Sequence, residues 1–408
     1  MPINRRFGKI FLGCLLVSGL LPISPAPGAE EFFYKYEVGD KYRILSTVRE
    51  EVYINRSLNH RAEILNRIAV EITGLRGETA RHQAVFQTAE RAVGVRGERS
   101  FQWTRDYESE FDRDRQGCLT IDKRYYMPVV RNVPVFPRGN LAAGETWTAE
   151  GHEAHDFRES FGISEPYRIP FTAGYVFLGN RTWKDREYPA FSVSYRIFTE
   201  PAAVPGNLWP TRIMGASDQV VYWDTGIGQA AAYEESFRMI FELSNGMTVE
   251  YRGRAEAEII ESETMDKERL LREITGEISR LGIRDTSVRV VDDGIAISLE
   301  NIQFQADSAV LAASEREKLD KIAEILLRYG DRDILVGGHT ALAGSEAGRR
   351  RLSLERAAVV ADYLIEKKVR GPDRIVVRGY GAEKPLGDNN SEEGRRRNRR
   401  VEITILEN

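Results

Sequence analysis

The first two thirds of the chain show the two-residue apolar period that is typical of β-strands. Stretches such as 42–54 and 64–72 alternate between apolar and polar residues or are rich in β-branched ones. The clearest hairpin lies near the end of this region. Apolar residues at 237, 239, 241 and 243 share one face, and those at 247, 249 and 251 return after an S-N-G turn. No long helical period interrupts the pattern, which therefore predicts an all-β region over residues 29–262.

The β region also contains a candidate internal repeat. V-G-D-K-Y at 38–42 resembles A-G-E-T-W at 143–147, and a second glycine follows at 74 and at 179. The offset is 105 residues for both glycine pairs, since 144 minus 39 and 179 minus 74 give the same value. The repeat predicts two related β units, at 30–135 and 136–262. The alternative is a chance agreement among common turn residues.

Beyond residue 262 the apolar period lengthens to that of a helix. A charged segment at 265–281 predicts a helical linker over residues 263–286. Further strands are predicted at 287–291, 295–302, 333–336, 375–378 and 401–406, and helices at 314–329 and 352–369. Ser314 and Glu317 fit a capping box at the start of the first of these helices. The β-α-β-α-β order predicts an α+β domain over residues 287–408, with a mixed sheet covered by helices.

A glycine-rich turn connects two of these elements. It reads G-G-H-T-A-L-A-G-S-E-A-G-R-R-R-L-S-L-E-R-A over residues 337–357. Such a turn presents free backbone N–H groups and the positive end of a helix to an anion. Two further segments are N-I-Q-F-Q-A-D-S-A-V-L at 301–311 and E-E-G-R-R-R-N-R-R-V-E-I at 392–403. The three motifs in this order resemble the OmpA-like C-terminal domain, the peptidoglycan-associating module of Gram-negative envelopes, over about residues 287–408.

The resemblance implies a cleft for the diamino acid of the peptidoglycan stem peptide. In the family an Asp and an Arg hold the amine and the carboxylate of that diamino acid. Arg356 matches the family's Arg in L-S-x-x-R-A. Ala341 follows Thr340 where the family reads G-H-T-D, and Arg349 stands where the family has an Asn. Only the carboxylate-binding half of the cleft therefore matches, although Glu346 is a possible substitute acceptor. The alternative for Arg356 is a solvated helix arginine.

Two other family positions have competing interpretations. Asp307 and Ser308 follow the first strand of the module, at a corner that borders the cleft in the family, but Asp-Ser is also an ordinary helix-entry signal. Asn398 precedes the last strand, and we expect it to order loops by hydrogen bonds rather than to bind ligand directly. The basic run at 395–397 is expected in a solvated loop, where it could also meet anionic polymer or lipid headgroups. The predicted ligand-binding set is Arg356, Ala341, Thr340, Asp307, Asn398 and Arg349.

The N-terminus indicates the compartment. Residues 1–28 carry three basic residues within the first nine positions, then an apolar run and an A-P-G cleavage site, which is typical of a secretory signal peptide. The apolar run is too short to span a bilayer comfortably. Cys14 loosely resembles a lipoprotein acceptor, but the apolar run continues past it, so we do not expect lipidation. The sequence thus predicts secretion across the inner membrane to the periplasm or the periphery of the outer membrane.

The charge and the cysteine content of the chain indicate which partners and disulfides to expect. Without residues 1–28 the chain has 58 minus 3, or 55, basic residues against 62 acidic ones, a net charge of −7. This acidic balance gives no reason to expect a nucleic-acid partner. Cys118 is the one cysteine outside the signal segment, so no intramolecular disulfide is possible after cleavage.

The sequence contains one weak candidate for a metal-binding motif. His152 and His155, with Glu153 and Asp156, form H-E-A-H-D, and histidines three residues apart on a helix could share a metal. The surrounding residues predict loop and strand instead, so we expect no metal site. No nucleophile elbow, P-loop or dinucleotide fingerprint occurs. The sequence therefore predicts a protein without enzymatic activity or cofactor.

These observations leave three functional hypotheses. The first is a periplasmic protein whose C-terminal domain associates with peptidoglycan and whose β region contacts other envelope proteins. The second is a structural or protein-interaction scaffold that has lost wall binding, which Ala341 and Arg349 favour. The third makes residues 30–262 an outer-membrane barrel. Many charged residues on both strand faces argue against the third, because a lipid-facing charge costs about 2–4 kcal/mol at mid-bilayer.

Overall fold

The computed structural model describes residues 29–93, 101–203, 208–261, 265–300, 302, 311–330 and 332–407. Strands make up 52% of the structure and helices 18%, so the protein is mostly β. The predicted signal peptide at 1–28, with Cys14, lies outside the described residues. None of the described helices combines the length and the apolar content needed to cross a bilayer.

The N-terminal part is built from long strands. These are β1 (Glu30–Glu31), β2 (Lys41–Ile54), β3 (Ser57–Arg76), β4 (Thr79–Val93), β5 (Phe101–Arg113), β6 (Leu119–Ile121), β7 (Val130–Arg131), β8 (Asn140–Leu141), β9 (Thr146–His155), β10 (Tyr167–Trp183), β11 (Arg186–Thr199), β12 (Pro210–Asp224), β13 (Gln229–Leu243) and β14 (Thr248–Glu261), with the short helix α1 (Arg158–Phe161) after β9. The β pattern of the sequence is thus confirmed for the described residues.

Most of these strands pair antiparallel with their neighbours in the chain. The sheet runs in the order β9-β10-β11-β12-β13-β14-β2-β3-β4-β5. The pairing of β14 with β2 joins the end of the region to its beginning, with Val249 opposite Ile54. The predicted hairpin is present: Phe241 lies opposite Val249 across the β13–β14 turn, where Gly246 has a φ of +83°.

The sheet curls until its two edge strands meet. Arg105 and Tyr107 on β5 each donate a hydrogen bond of 2.8 Å to Asp156, which directly follows β9. The segment between the edges covers the inner face. Within it, the Met127 carbonyl accepts from Ser109 Oγ at 2.7 Å, and the Val129 carbonyl accepts from the backbone N–H of residue 154 at 2.8 Å. The inner face of the sheet is therefore enclosed.

The first glycine of each candidate repeat unit, Gly39 or Gly144, occupies a turn of similar geometry. Gly39 precedes β2 with a φ of +96°, and its N–H donates to the Ile72 carbonyl at 2.8 Å. Gly144 precedes β9 with a φ of +90°, and its N–H donates to the Phe177 carbonyl at 2.7 Å. A register shift follows within three residues of each acceptor.

The C-terminal part alternates helices and short strands. Its elements are α2 (Lys267–Arg280), β15 (Thr286–Val291), β16 (Gly294–Glu300), α3 (Ala313–Leu327), β17 (Ile334–Gly338), α4 (Glu346–Glu366), β18 (Ile375–Gly379), α5 (Glu392–Asn398) and β19 (Arg400–Leu406). The sheet order is β15-β16-β19-β17-β18, in which β17 and β18 are parallel and the other pairs antiparallel. The sheet is therefore mixed.

Helices α2, α3 and α4 share one hydrophobic core with this sheet. The apolar face of α2, formed by Leu270, Ile274 and Ile278, is buried in the same cluster as Ile297 and Ile403 of the strands. The helix predicted as a linker therefore packs into the core of the C-terminal part.

Three features of the helices differ from the predictions. Ser314 does not cap α3, because Ala312 occupies the N-cap position and no side chain caps it. Helix α4 begins at Glu346, six residues before the predicted start at 352, because Ser345 Oγ accepts from the Gly348 N–H and caps the helix there. The run 395–397, predicted as a loop, lies in helix α5.

The outer face of β2–β5 packs on the sheet face opposite the C-terminal helices. Leu65 and Phe101 form an apolar cluster with Leu335 and Val376. Strand β5 also pairs in parallel with β18 through Phe101 and Val376. The two parts of the chain thus share a buried apolar contact and a short strand pairing.

A buried ion pair accompanies this contact. Arg67 Nη2 lies 2.8 Å from Asp333 Oδ2, and the two side chains are 9% and 8% exposed. Arg374 Nε approaches the other carboxylate oxygen of Asp333 at 2.8 Å. A charge buried to this degree is stable only while its partner is present.

We predict that Asp333→Ala lowers the free energy of unfolding by about 3–5 kcal/mol, because Arg67 then remains buried without its counter-ion. Urea denaturation followed by tryptophan fluorescence measures the loss. The matched control is Asp218→Ala, which removes an exposed partner of Arg196 and should change the midpoint little. The double variant Arg67→Met with Asp333→Leu should lose less stability than Asp333→Ala alone. Equal midpoints for Asp333→Ala and Asp218→Ala would contradict the role of this ion pair.

Candidate functional site

The glycine-rich turn after β17 is fixed by backbone hydrogen bonds to both neighbouring strand ends. The His339 N–H donates to the Arg400 carbonyl at 3.0 Å, and the Thr340 N–H donates to the Gly381 carbonyl at 2.8 Å. Gly338 allows helix α4 to approach the turn, since a Cβ there would lie 1.9 Å from the Ser353 carbonyl oxygen. The sequence G-G-H-T therefore follows from close helix packing as well as from turn geometry.

Thr340 and Ala341 line the start of this turn and are buried, at 7% and 8% exposure. The methyl group of Ala341 offers no hydrogen-bond acceptor. Thr340 Oγ1 is buried and has no hydrogen-bond partner among the described residues. The next N–H, at Leu342, donates to Asn389 Oδ1 at 3.0 Å, which ties the turn to the loop before α5.

Arg356 lies midway along the 21 residues of α4. The helix predicted over 352–369 would place Arg356 near its start, but α4 begins at Glu346, so Arg356 lies further from the glycine-rich turn than the sequence pattern indicated. Its side chain is half-buried. Burial lowers the pKa of Arg356, and the nearby charge of Arg399 lowers it further. The two guanidinium groups therefore lie close enough for the charge of Arg399 to act on Arg356.

Arg349, which replaces the family's Asn, supports the turn from the first part of α4. Its Nη1 donates to the Gly344 carbonyl at 2.5 Å. Its Nε is buried without a hydrogen-bond partner among the described residues. Glu346, the possible substitute acceptor, is exposed and forms an ion pair with Arg350 at 3.3 Å.

Asn398 is 1% exposed and uses its whole side-chain amide within the loop before α5. Oδ1 accepts from the N–H groups of Leu386 and Gly387 at 2.7 and 2.9 Å. Nδ2 donates to the Gly387 carbonyl at 2.8 Å and to Asn389 Oδ1 at 3.0 Å. Asn389 Oδ1 also accepts from the turn after β17, so Asn398 orients both loops. This is the loop-ordering role that the sequence analysis expected.

The remaining predicted positions divide into two groups. Asp307 and Ser308 lie outside the described residues. Within the basic run, Arg395 donates to Glu392 in the first turn of α5 at 2.9 Å. Arg399, two residues beyond the run, donates to the same carboxylate at 2.7 Å.

The other face of the sheet holds a buried polar cluster that was not predicted from the sequence. Glu402 accepts from Arg289 Nη2 at 2.7 Å, from Arg400 Nε at 2.7 Å and from Ser298 Oγ at 3.1 Å. Although burial acts to raise the pKa of Glu402, the neighbouring His339, Arg400 and Arg289 hold it well below its usual range. The signal was present in β19, where polar residues alternate with the apolar core positions.

His339 completes this cluster. Its ring stacks on Tyr380 at 4.8 Å, and its Nε2 lies 3.5 Å from Glu402 Oε2. Burial lowers the pKa of His339. The histidine of the glycine-rich turn therefore packs inside the domain, away from solvent.

The H-E-A-H-D segment forms the end of β9 and does not gather metal ligands. His155 Nε2 lies 2.7 Å from Glu153 Oε2, and Glu153 also accepts from Tyr195 Oη at 2.8 Å. Asp156 is occupied by Arg105 and Arg158. Among the described residues, no group of three or more His, Cys, Asp or Glu is placed to hold a metal ion.

Comparisons with known proteins match this part of the chain to a family. Residues 303–399 match the OmpA family, and no family matches the N-terminal region. The peptidoglycan-binding protein ArfA of Mycobacterium bovis is 39% identical over 104 residues, which are 26% of this chain and 32% of ArfA. Outer membrane protein A of Bordetella avium is 39% identical over 103 residues, which are 25% of this chain and 53% of that protein. The chain thus spans about a third to a half of the length of these relatives.

A solved structure described as the cell wall anchor of the T6SS from Pseudomonas aeruginosa is also similar. Its identity is 28%, with a TM-score of 0.30, and the alignment covers 35% of this chain and 100% of that one. The family match coincides with the glycine-rich turn, helix α4 and the Asn398 loop described above. Residues 303–399 of this chain therefore belong to an OmpA-family domain.

Proposed function

We propose that this protein is a cell-envelope protein whose OmpA-family domain associates with peptidoglycan through an altered cleft. The family match over 303–399 supports the domain, and ArfA is a relative whose name describes it as peptidoglycan-binding. The observation that carries the alteration is Ala341, a buried methyl group at the position of the family's acidic residue. The proposed location is the periplasm or the periphery of the outer membrane, which fits the signal peptide predicted at 1–28.

The missing acid decides which ligand the cleft prefers. A charge-assisted hydrogen bond to an ammonium contributes about 1.5–3 kcal/mol, or roughly ten- to a hundredfold in affinity. A ligand amine that meets Ala341 loses this bond and also its hydration. Glu346 does not replace the acid, because it is exposed and paired with Arg350. The cleft therefore favours a carboxylate or another anion over a zwitterionic diamino acid.

The second candidate function, a protein-interaction scaffold, is favoured by the same residue. If wall binding is lost entirely, the domain still keeps its packed core, the hydrogen-bonded turn after β17 and its contact with the β part. Weak but measurable binding of wall fragments supports the first function. A complete absence of binding, together with a normally folded domain, supports the scaffold.

We also infer that the β region arose by tandem duplication. The support is the matched pair of glycine turns at 39 and 144, each with a positive φ and each bonded to a carbonyl 33 residues further on (72 minus 39 and 177 minus 144). Both turns open a run of antiparallel strands that pair in chain order. The proposed domain division is then 29–262 and 287–408, with the residues between them forming helix α2 and its flanks.

We predict that Ala341→Asp raises binding to purified peptidoglycan by about tenfold or more, because the ligand amine regains a charged acceptor. Cosedimentation of the protein with wall sacculi measures the change. Ala341→Asn is the matched control, since it has nearly the same shape without the charge. Arg356→Ala in the Ala341→Asp background should abolish the gain. Tight binding by the unmodified protein, unchanged by Ala341→Asp, would show that another residue supplies the acceptor.

We predict that Asn398→Ala disorders the loop over 386–389 and lowers stability, at about 1–3 kcal/mol for each buried group left without a partner. Thermal denaturation gives the loss of stability, and cosedimentation in the Ala341→Asp background gives the effect on binding. Asn390→Ala is the control, because Asn390 is exposed in the same loop. If the two variants are equally stable and bind sacculi equally well, Asn398 has no positioning role.

A further inference from the structure

The curled sheet of the N-terminal part forms a partly open cavity of about 370 Å³. This volume falls within the range of about 300–1,000 Å³ found for small-molecule sites. The cavity lies between the inner faces of the strands and the covering segment at 127–134. Much of its wall is apolar and includes Ile44, Ile68, Phe86, Val130, Val221 and Ile259.

One cation faces this apolar space. Arg113 ends β5 and lines the cavity. Its guanidinium carbon lies 5.0 Å from the ring centroid of Tyr34 and 5.5 Å from that of Phe111. No carboxylate in the described part of the chain forms an ion pair with Arg113. A partly buried cation without a carboxylate is an unusual arrangement, because burying a charge without its counter-ion is costly.

The acidic residues next to Arg113 in sequence are engaged elsewhere. Asp112 lies on the opposite face of the strand and pairs with Arg81. Asp114 Oδ1 accepts from the Cys118 N–H at 2.8 Å. His82 lies beside Arg113, and burial together with the Arg113 charge lowers the pKa of His82 to about 3, so this ring is neutral at physiological pH. Although burial acts to lower the pKa of Arg113, the neighbouring Tyr34, Tyr36, Tyr42 and Asp114 raise it, so the guanidinium stays charged at physiological pH.

The cavity also contains a carboxyl group, that of Glu235. Its Oε1 accepts from Ser217 Oγ at 2.6 Å and from Gln219 Nε2 at 3.2 Å. Burial raises the pKa of Glu235, which reduces its negative charge at a given pH. Glu235 is thus held by its own sheet, whereas Arg113 presents its guanidinium to the cavity.

We propose that this cavity binds a single-chain amphipathic anion, whose aliphatic chain lies against the apolar wall and whose head group accepts hydrogen bonds from Arg113. The planar guanidinium fork suits a carboxylate or a phosphate, both of which it can bind through two parallel hydrogen bonds. A free fatty acid and a single-chain lipid phosphate share this chemistry. The inference concerns the N-terminal part and does not depend on peptidoglycan binding.

Isothermal titration of the full-length protein with four dodecyl compounds tests the proposal, with the charged compounds below their critical micelle concentrations and dodecanol below its solubility limit. The compounds are dodecanoate, dodecyl phosphate, dodecanol and dodecyltrimethylammonium. At least one of the two anions should bind at least tenfold more tightly than dodecanol, and the cation should not bind. The anion that binds more tightly shows whether the site prefers a free fatty acid or a single-chain lipid phosphate. Within a series from hexanoate to dodecanoate, each added methylene should raise affinity by up to about fourfold until the cavity is full.

Two variants locate the site. Arg113→Gln should reduce the affinity for the preferred anion by at least tenfold and leave that for dodecanol unchanged, so that the difference between them disappears. Arg81→Gln is the matched control, because Arg81 is the exposed arginine of the neighbouring strand and faces the other side of the sheet. Circular dichroism melting checks that each variant is folded, and Arg113→Lys tests charge if Arg113→Gln does not fold.

Three results would overturn the proposal. The first is no binding by either anion. The second is equal affinity for the anions and dodecanol, which would leave Arg113 with a purely structural role against its aromatic neighbours. The third is tighter binding of the cation, which would make Glu235 the recognition group.

Discussion

The position of Asp333 between two arginines constrains the whole molecule. The carboxylate belongs to the residue just before β17, the strand that leads into the glycine-rich turn, and Arg67 reaches it from the outer face of the N-terminal sheet. Both charges are buried, so neither part of the chain can move away without exposing apolar residues and separating the ion pair. The start of β17 is thereby fixed from one side by the N-terminal sheet. From the other side, the core formed by α3 and α4 fixes the same strand.

This arrangement changes how the C-terminal domain presents its cleft. One face of its sheet is covered by helices and the other by the N-terminal part, with the Glu402 cluster beside the contact. What remains accessible is the edge formed by the turn after β17, the middle of α4 and the Asn398 loop. The backbone hydrogen bonds of Thr340 and the amide of Asn398 hold that edge in place. Under the proposed function, an alanine rather than an acid at position 341 changes the charge of an edge that the fold already holds in place.

The sequence predicted local structure well where the spacing of apolar residues along one element was enough to determine that element. The β13–β14 hairpin follows from apolar alternation around Asn245-Gly246, and the strands of the C-terminal part lie within one or two residues of their predicted positions at most ends. The start of α4 was wrong because the apolar period begins only at Leu352, while the helix is set by the Ser345 cap six residues earlier. The spacing of apolar residues does not indicate a first helical turn that contains polar residues and is stabilised by the Ser345 cap.

Contacts between distant residues could not be predicted from one sequence. Arg67 and Asp333 are 266 residues apart, and each has the sequence context of an ordinary charged residue. The parallel pairing of Phe101 with Val376 likewise has no local signal. The same holds for the Glu402 cluster, whose members come from four strands or their ends. Of the predicted cleft residues, Thr340, Ala341, Arg349, Arg356 and Asn398 were identified by family resemblance, and the geometry of their surroundings became clear only with the fold.

Both proposed ligand sites contain a partly buried arginine. In the proposed cleft, Ala341 lies in the turn after β17, and burial together with the charge of Arg399 lowers the pKa of Arg356. In the β part, Arg113 faces an apolar cavity with no ion pair of its own among the described residues. The net charge of the chain is −4, so overall composition does not explain why an arginine lies at each proposed site. The local arrangement of charged side chains, rather than net charge, therefore determines which ligands each proposed site can hold.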